Sequence, residues 1–81
     1  MDMRRIIGKN VKEWRLKRGF SQEELAFEAG LHRTYVSAVE RGLRNPTVDI
    51  VGKLAIALSI RPLILLDDYD EKTDRPLIDD T

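Results

Sequence analysis

A serine cap, a central glycine and two short apolar-periodic stretches follow one another in the middle of this chain. Ser21 is a favourable N-cap residue, and Glu24 three residues later completes a capping box at the start of a helix. Gly30 stands where the chain must turn sharply, since a residue without a Cβ adopts the left-handed conformation easily. Val36 and Val39 then recur three residues apart, which favours a second helix directly after the turn. The pattern therefore predicts two short helices joined by a tight turn, a helix-turn-helix.

A further helix is predicted ahead of this motif. Ile7, Val11 and Trp14 recur at helical spacing within residues 4–17, and Gly19 ends that first helix. A lone aromatic residue on an apolar helix face is more often packed than used as a stacking platform. We therefore expect Trp14 to pack against other parts of the protein.

Two helices are predicted after the motif. Thr47 is positioned to cap a fourth helix over residues 48–59. Pro62 is typical of the first turn of a helix and is followed by four apolar residues, so we expect a short fifth helix that is apolar nearly all round. The chain is thus predicted to be all-α. The apolar face predicted for the fourth helix consists of Val51, Leu54, Ala55 and Leu58.

Composition disfavours several classes of protein. With 81 residues, the chain is long enough for one small domain. It has no cysteine and one histidine, so we expect no disulfide, no metal site and no cofactor. Neither a phosphate-binding loop nor a nucleophile–base pair is recognisable, so we expect no enzymatic activity. The sequence has no signal segment and no apolar run of about 20 residues, which predicts a cytoplasmic protein that is not in a membrane.

Charge is segregated along the chain, although the formal net charge is +0. Residues 1–61 contain 12 Lys and Arg against 7 Asp and Glu, a net charge of +5. Residues 62–81 contain 2 Lys and Arg against 7 Asp and Glu, a net charge of −5. Phosphate binding depends on local basic density, so overall neutrality does not exclude a nucleic acid partner.

The same segregation suggests how the chain is divided. We expect a folded domain over residues 1–66 and an acidic tail over residues 67–81. The tail is interpreted as a solvated end, with competition for the basic face as the alternative. Whether Leu77 and Ile78 fold back onto the domain stays open.

The second helix of the motif is the candidate DNA-reading element. In a helix-turn-helix this helix is held through one face and presents its outer face to the major groove of double-stranded DNA. Arg33 lies near its start, where a guanidinium can bond O6 and N7 of guanine together. Tyr35 has two interpretations: its ring packs on a base step, or it leans against the helix with its hydroxyl on a phosphate. The predicted base contacts are Arg33, Thr34, Tyr35, Ser37 and Ala38.

Contacts to the DNA backbone are predicted around this helix. Gln22 lies at the N-terminus of the first motif helix, where its amide and the N–H groups of the first turn can donate to a phosphate. Polar and cationic side chains at and after the end of the second motif helix suit phosphates as well. The predicted phosphate contacts are Gln22, Arg41, Arg44, Asn45 and Lys17.

Residues spread over most of the chain carry a family resemblance. They are Val11, Trp14, Arg15, Gly19–Phe20, Ser21–Ala26, Ala29–Leu31, Tyr35–Ser37, Glu40–Gly42 and Asn45–Thr47. Through them the chain resembles the Xre/Cro family of bacterial and phage transcriptional regulators over residues 7–66. The run His32–Tyr35 is most similar to the small controller proteins of restriction-modification systems. The resemblance implies a compact five-helix, lambda-repressor-like domain that regulates transcription by binding DNA.

The resemblance also implies a structural role for two charged residues. Arg15 and Glu40 match positions at which the family pairs an Arg of the first helix with a Glu at the end of the second motif helix. Removing one partner would leave a partly buried charge. Both residues are therefore expected to stabilise the fold and not to contact DNA.

The fifth helix lies near the dimer interface in the resembling family, which implies a homodimer. A dimer is expected to bind an inverted repeat whose half-sites lie about 34 Å apart. The alternative is an antitoxin-like protein-interaction module that uses the fifth helix and the acidic tail to hold an unknown protein partner. We expect Leu63 and Leu66 in the core, and Ile64 and Leu65 in a self-association patch. Burial of this apolar face under the tail is the alternative.

Overall fold

The computed structural model describes residues 2–70 and 75–76, and within them five helices precede a short pair of strands. The helices confirm the all-α class, and each strand has two residues. The strands are antiparallel, with Tyr69 opposite Pro76. None of the helices in these residues is long and apolar enough to cross a bilayer. The elements are α1 (Met3–Lys17), α2 (Gln22–Ala29), α3 (Arg33–Glu40), α4 (Val48–Leu58), α5 (Pro62–Leu66), β1 (Tyr69–Asp70) and β2 (Arg75–Pro76).

Local capping chemistry sets the helix ends, as the sequence predicts. Ser21 Oγ accepts the Glu24 N–H at 3.0 Å, and the Glu24 carboxylate accepts the Ser21 N–H at 2.8 Å, so the capping box of α2 is complete. Gly30 ends α2 in the left-handed region, at φ 71°. Thr47 caps α4 by accepting the Ile50 N–H at 3.2 Å. These ends satisfy backbone groups that a helix leaves unpaired.

The core lies where the five helices meet. The predicted apolar face of α4 is confirmed, since all four of its residues are buried. Trp14 and Phe20 are partly buried and pack against the core. The residues of the core are Ile7, Val11, Leu25, Ala26, Ala29, Val36, Val39, Val51, Leu54, Ala55, Leu58 and Leu65.

Gly8 lets α1 approach the end of α3 closely. A Cβ at this position would lie 2.3 Å from the Val39 carbonyl oxygen and 2.8 Å from the Glu40 carbonyl oxygen. Real Cβ atoms do not come this close to backbone atoms, so a larger residue would push the two helices apart. The crossing of α1 and α3 therefore depends on a glycine in the middle of a helix.

The prediction for α5 is wrong in its orientation. Leu65 is fully buried and cannot belong to a surface patch, whereas Leu63, expected in the core, is 76% exposed. Leu66, also expected in the core, is 38% exposed, and Ile64 is half-buried. Sequence periodicity could not orient α5, because this helix is one turn long and apolar nearly all round.

Asn10 of α1 explains the orientation that α5 adopts. Its side-chain amide is buried and donates to the carbonyls of Ile64 at 3.3 Å, Leu65 at 3.0 Å and Asp67 at 2.8 Å. These carbonyls lie at and just after the end of α5, where helix carbonyls lack N–H donors within the helix. The bonds hold α5 against α1 with Leu65 facing the core.

Arg18, directly after α1, bonds the end of α4 in a similar way. Its Nε donates to the Leu58 carbonyl at 2.7 Å, and its Nη2 to the Ser59 carbonyl at 3.3 Å. The same guanidinium lies 5.2 Å from the centroid of the Trp14 ring.

The described part of the predicted tail includes Asp67, Asp68, β1 and β2, whereas Leu77 and Ile78 lie outside the described residues.

Replacing Gly8 tests the close crossing of α1 and α3. We expect Gly8→Ala to lower the free energy of unfolding by about 2–3 kcal/mol, because no rotamer change relieves a clash with backbone. The matched control is Gly52→Ala in α4, where a Cβ would meet nothing within 4 Å. That variant should be more stable than the wild type by about 0.5–1 kcal/mol, because alanine favours helix. Urea denaturation followed by circular dichroism measures both, and equal stability of the two variants would contradict the close crossing.

Candidate nucleic-acid interface

The inner face of α3 is anchored and its outer face is open. Val36 and Val39 are fully buried, and α3 packs against α1 and α2. Arg33 and Thr34 are exposed in the first turn of α3. Ser37 lies one turn further along the same side and is half-buried. The helix therefore presents a strip of one guanidinium and two hydroxyl groups to any partner that faces it.

Tyr35 lies at the border between this outer face and the core. Its ring is partly buried and packs against the core, and the guanidinium carbon of Arg44 lies 5.9 Å from the ring centroid. This contact joins the loop after α3 to the helix itself. Ala38 is half-buried and lies one helical turn after Thr34, so it is on the same side of α3.

Arg41 and Arg44, two of the cations predicted to bind phosphate, contact residues of α3. Arg41 is exposed and donates from Nε to the Ser37 carbonyl at 3.4 Å. Arg44 and Asn45 are exposed in the loop before α4. Lys17 is exposed near the end of α1, with its Nζ 4.6 Å from the centroid of the Trp14 ring. Exposed guanidinium and amide groups around one helix can donate hydrogen bonds to phosphate oxygens.

An ion pair between α1 and α3 lies directly behind this surface. Arg15 Nε is 2.6 Å from Glu40 Oε2, and Arg15 Nη2 is 3.1 Å from Glu40 Oε1, so the bond has two parallel contacts. Only 10% of the Arg15 side chain and 3% of the Glu40 side chain are exposed. Arg15 Nη1 also donates to the Phe20 carbonyl at 2.9 Å. The structure thus contains the ion pair that the family resemblance implies, and both charges are inside the protein.

Gln22 is bound to the same carboxylate. Its Nε2 donates to Glu40 Oε1 at 3.0 Å, and the residue is half-buried at the first position of α2. The amide lies at the N-terminus of α2, as the predicted phosphate contact requires, and the Glu40 carboxylate is its hydrogen-bond partner within the protein. Ahead of α3, His32 occupies the N-cap position without a side-chain capping bond.

Sequence reasoning missed the roles of two residues that support this surface. Gly8 sets the distance between α1 and the end of α3, and Asn10 fixes α5. A glycine inside a helical pattern is a signal of close packing and could have indicated Gly8. Asn10 carries no comparable signal, because its acceptors are 54 to 57 residues away in the sequence.

The fold and this surface define a helix-turn-helix domain with a polar, cationic outer face on its second motif helix. A sequence model of the HTH_3 helix-turn-helix family matches residues 11–65. The chain therefore belongs to this family, which confirms the resemblance seen in its sequence.

Proteins similar to this chain include controllers of restriction-modification systems. The control protein C.BamHI of Bacillus amyloliquefaciens is 48% identical over 67 residues, which span 82% of this chain and 83% of that protein. The crystal structure of the controller protein C.AhdI from Aeromonas hydrophila has a TM-score of 0.75 and 47% identity, covering 76% of this chain and 94% of that one. The C.Esp1396I tetramer in complex with its natural 35 base-pair operator has a TM-score of 0.73 and 29% identity, covering 80% of this chain and 86% of that one.

Removing one partner of the buried ion pair tests its structural role. We expect Arg15→Ala to lower the free energy of unfolding by about 3–5 kcal/mol, because the Glu40 carboxylate would remain buried without its cation. The control is Glu13→Ala, which removes an exposed contact to Lys9 at 3.8 Å and should change stability by less than about 0.5 kcal/mol. Thermal melting measures both variants. An unchanged melting temperature of Arg15→Ala, with DNA binding lost, would show that Arg15 is a DNA contact instead.

Proposed function

We propose that this protein is a sequence-specific DNA-binding transcriptional regulator that binds an inverted-repeat operator as a homodimer. The observation that carries the proposal is the two-sided environment of α3. Its inner residues Val36 and Val39 are fully buried, while Arg33 and Thr34 are exposed at its start. Membership of the helix-turn-helix family and similarity to controllers, one of them in a complex with its operator, support the proposal.

We assign base reading to the outer face of α3. Arg33 is exposed in the first turn, where recognition helices contact base edges, and can bond guanine O6 and N7 together. Thr34 and Ser37 can bond a base or a phosphate, and the methyl group of Ala38 suits a thymine methyl. Tyr35 contacts DNA through the edge of its half-buried ring or through its hydroxyl. The guanidinium carbon of Arg44 lies 5.9 Å from the centroid of this ring.

Phosphate contacts surround this base-reading face. Arg41, Arg44 and Asn45 follow the end of α3 and are exposed, so they can donate to one strand of the backbone. Gln22 at the start of α2 and Lys17 near the end of α1 extend the contact on the other side of the turn. Contacts of this kind fix the position of the protein on the duplex, whereas the contacts of α3 select the sequence.

The apolar surface for the second copy lies on α4 and α5, which pack against each other. Ile56 of α4 and Leu63 of α5 are largely exposed, and Ile64 is half-buried. We therefore keep Ile64 at the dimer interface and add Leu63 in place of Leu65. Two copies would present two α3 helices to half-sites about 34 Å apart.

A regulator of this kind acts by occupying its operator. Operator occupancy depends on protein concentration, because dimerisation and DNA binding are coupled. Mass action therefore favours the bound dimer as the protein accumulates. Occupancy beside or across a promoter represses or activates transcription according to where the operator lies. The cytoplasm, which holds bacterial DNA, is the proposed location.

Selection of bound sequences from a random DNA pool tests the proposal. We expect the wild type to enrich a palindromic site, and Arg33→Ala at the same salt concentration to relax the preference at one base pair of each half-site. The lost discrimination should be about 1–3 kcal/mol per half-site. A matched control is Arg44→Ala, which should weaken binding about equally across sequences. Absence of any enrichment by folded wild-type protein would favour the protein-interaction module that uses α5 and the acidic tail.

Changing the exposed surface of α5 tests dimerisation separately. We expect Leu63→Asp to shift the protein from dimer to monomer in sedimentation velocity, because a charge would be buried in an apolar interface. Its folding should be unaffected, since Leu63 is 76% exposed. The control is Phe27→Asp on α2, which is 82% exposed and should leave the dimer intact. A dimer that persists in Leu63→Asp would place the interface elsewhere.

A further inference from the structure

The Glu40 carboxylate bonds both the guanidinium of Arg15 in α1 and the side-chain amide of Gln22 in α2. Its carboxylate accepts two bonds from Arg15 and one from Gln22, and the Arg15 and Gln22 bonds at Oε1 are 3.1 Å and 3.0 Å long. The Glu40 side chain is 3% exposed, whereas Gln22 lies half-buried at the edge of the interface. The three side chains therefore form a continuous polar connection from the interior of the protein to its surface.

The chemistry of the carboxylate determines which way the Gln22 amide is turned. An ionised carboxylate has acceptors and no donors, so the amide must present its NH₂ group and not its carbonyl oxygen to Glu40. An NH₂ group has two N–H bonds, and the bond to Glu40 Oε1 uses one of them. The second N–H is left for another acceptor, and Gln22 stands at the first residue of α2, beside backbone N–H groups that have no acceptor within the helix.

We propose that Glu40 is a positioning residue for DNA binding, which turns the Gln22 amide so that its second N–H meets a DNA phosphate at the start of α2. This inference rests on the proposed function. Glu40 does not itself touch the phosphate. Its charge is compensated by Arg15, so it orients the amide without presenting an uncompensated negative charge to the DNA backbone.

The geometry explains why such an arrangement strengthens binding. A free glutamine side chain samples several rotamers, and holding it in one of them before DNA arrives removes an entropic penalty from the binding step. The bond that it then makes to a charged phosphate is of the stronger, charge-assisted kind. A glutamine without Glu40 would have the same donors and would bind more weakly.

A double-mutant cycle in DNA affinity separates positioning from support of the fold. The pair Arg15→Met and Glu40→Leu removes both charges together, which a folded protein tolerates better than removing one. In the wild-type background we expect Gln22→Ala to weaken operator binding roughly tenfold per half-site. In the Arg15→Met, Glu40→Leu background, at a melting temperature close to that of the wild type, Gln22→Ala should weaken binding by much less than in the wild-type background.

Arg44→Ala is the control for this cycle. Arg44 lies against Tyr35 and makes no bond to Glu40 among the described residues, so its loss should weaken binding by the same factor in both backgrounds. An equal effect of Gln22→Ala in both backgrounds would overturn the inference. So would a loss of the Arg44→Ala effect, because the replaced pair would then have damaged the whole interface. A Gln22→Ala variant that binds as tightly as the wild type would also overturn it.

Nuclear magnetic resonance of the side-chain amides gives a second test. It uses the wild-type protein and so does not depend on whether a variant folds. We expect one Nε2 proton of Gln22 to be shifted downfield of its position in a solvated glutamine in the free protein, because it is bonded to Glu40, and the second to move when operator DNA is added. Shifts typical of a solvated glutamine, unchanged by DNA, would overturn the inference. Wild-type binding to the operator in the same titration shows that such a failure concerns Glu40 and not the proposed function.

Discussion

The ion pair between Arg15 and Glu40 is the interaction on which the binding surface depends. It joins the last turn of α1 to the end of α3 through two bonds of 2.6 and 3.1 Å, and both side chains are largely removed from water. Two charges in such a place are stable only together, since either one alone would be buried without compensation. The position of α3, and through Gln22 the start of α2, is therefore tied to α1 by electrostatics as well as by apolar packing.

Polar side chains in α1, and Arg18 just after it, donate hydrogen bonds to backbone carbonyls of other segments. Asn10 bonds carbonyls at the end of α5, Arg18 those at the end of α4, and Arg15 the carbonyl of Phe20 in the turn before α2. Helix ends always leave carbonyl groups that need a donor. In a domain this small, a few polar side chains of α1 and of its C-cap residue Arg18 meet that need and fix the neighbouring segments at the same time.

The parts of this fold that could be predicted from sequence are those that depend on neighbours in the chain. Ser21, Gly30 and Thr47 set helix ends through contacts within a few residues, and the structure has them where the sequence places them. The orientation of α5 could not be predicted, because it is set by Asn10, more than fifty residues away. For the interface, the exposure of Arg33 followed from helical periodicity, whereas the bond from Gln22 to Glu40 depends on tertiary structure.

The close approach at Gly8 has a consequence for how this domain can change during evolution. The atoms that a Cβ there would meet are backbone carbonyls of α3, so the contact does not depend on which side chains α3 carries on its outer face. The backbone contact at Gly8 that positions α3 and the side chains that face outward from α3 are therefore physically separate. Outward residues such as Arg33 and Thr34 can therefore be exchanged for others while the contact at Gly8 stays the same, so the outer face of α3 can change its chemistry without a change of fold.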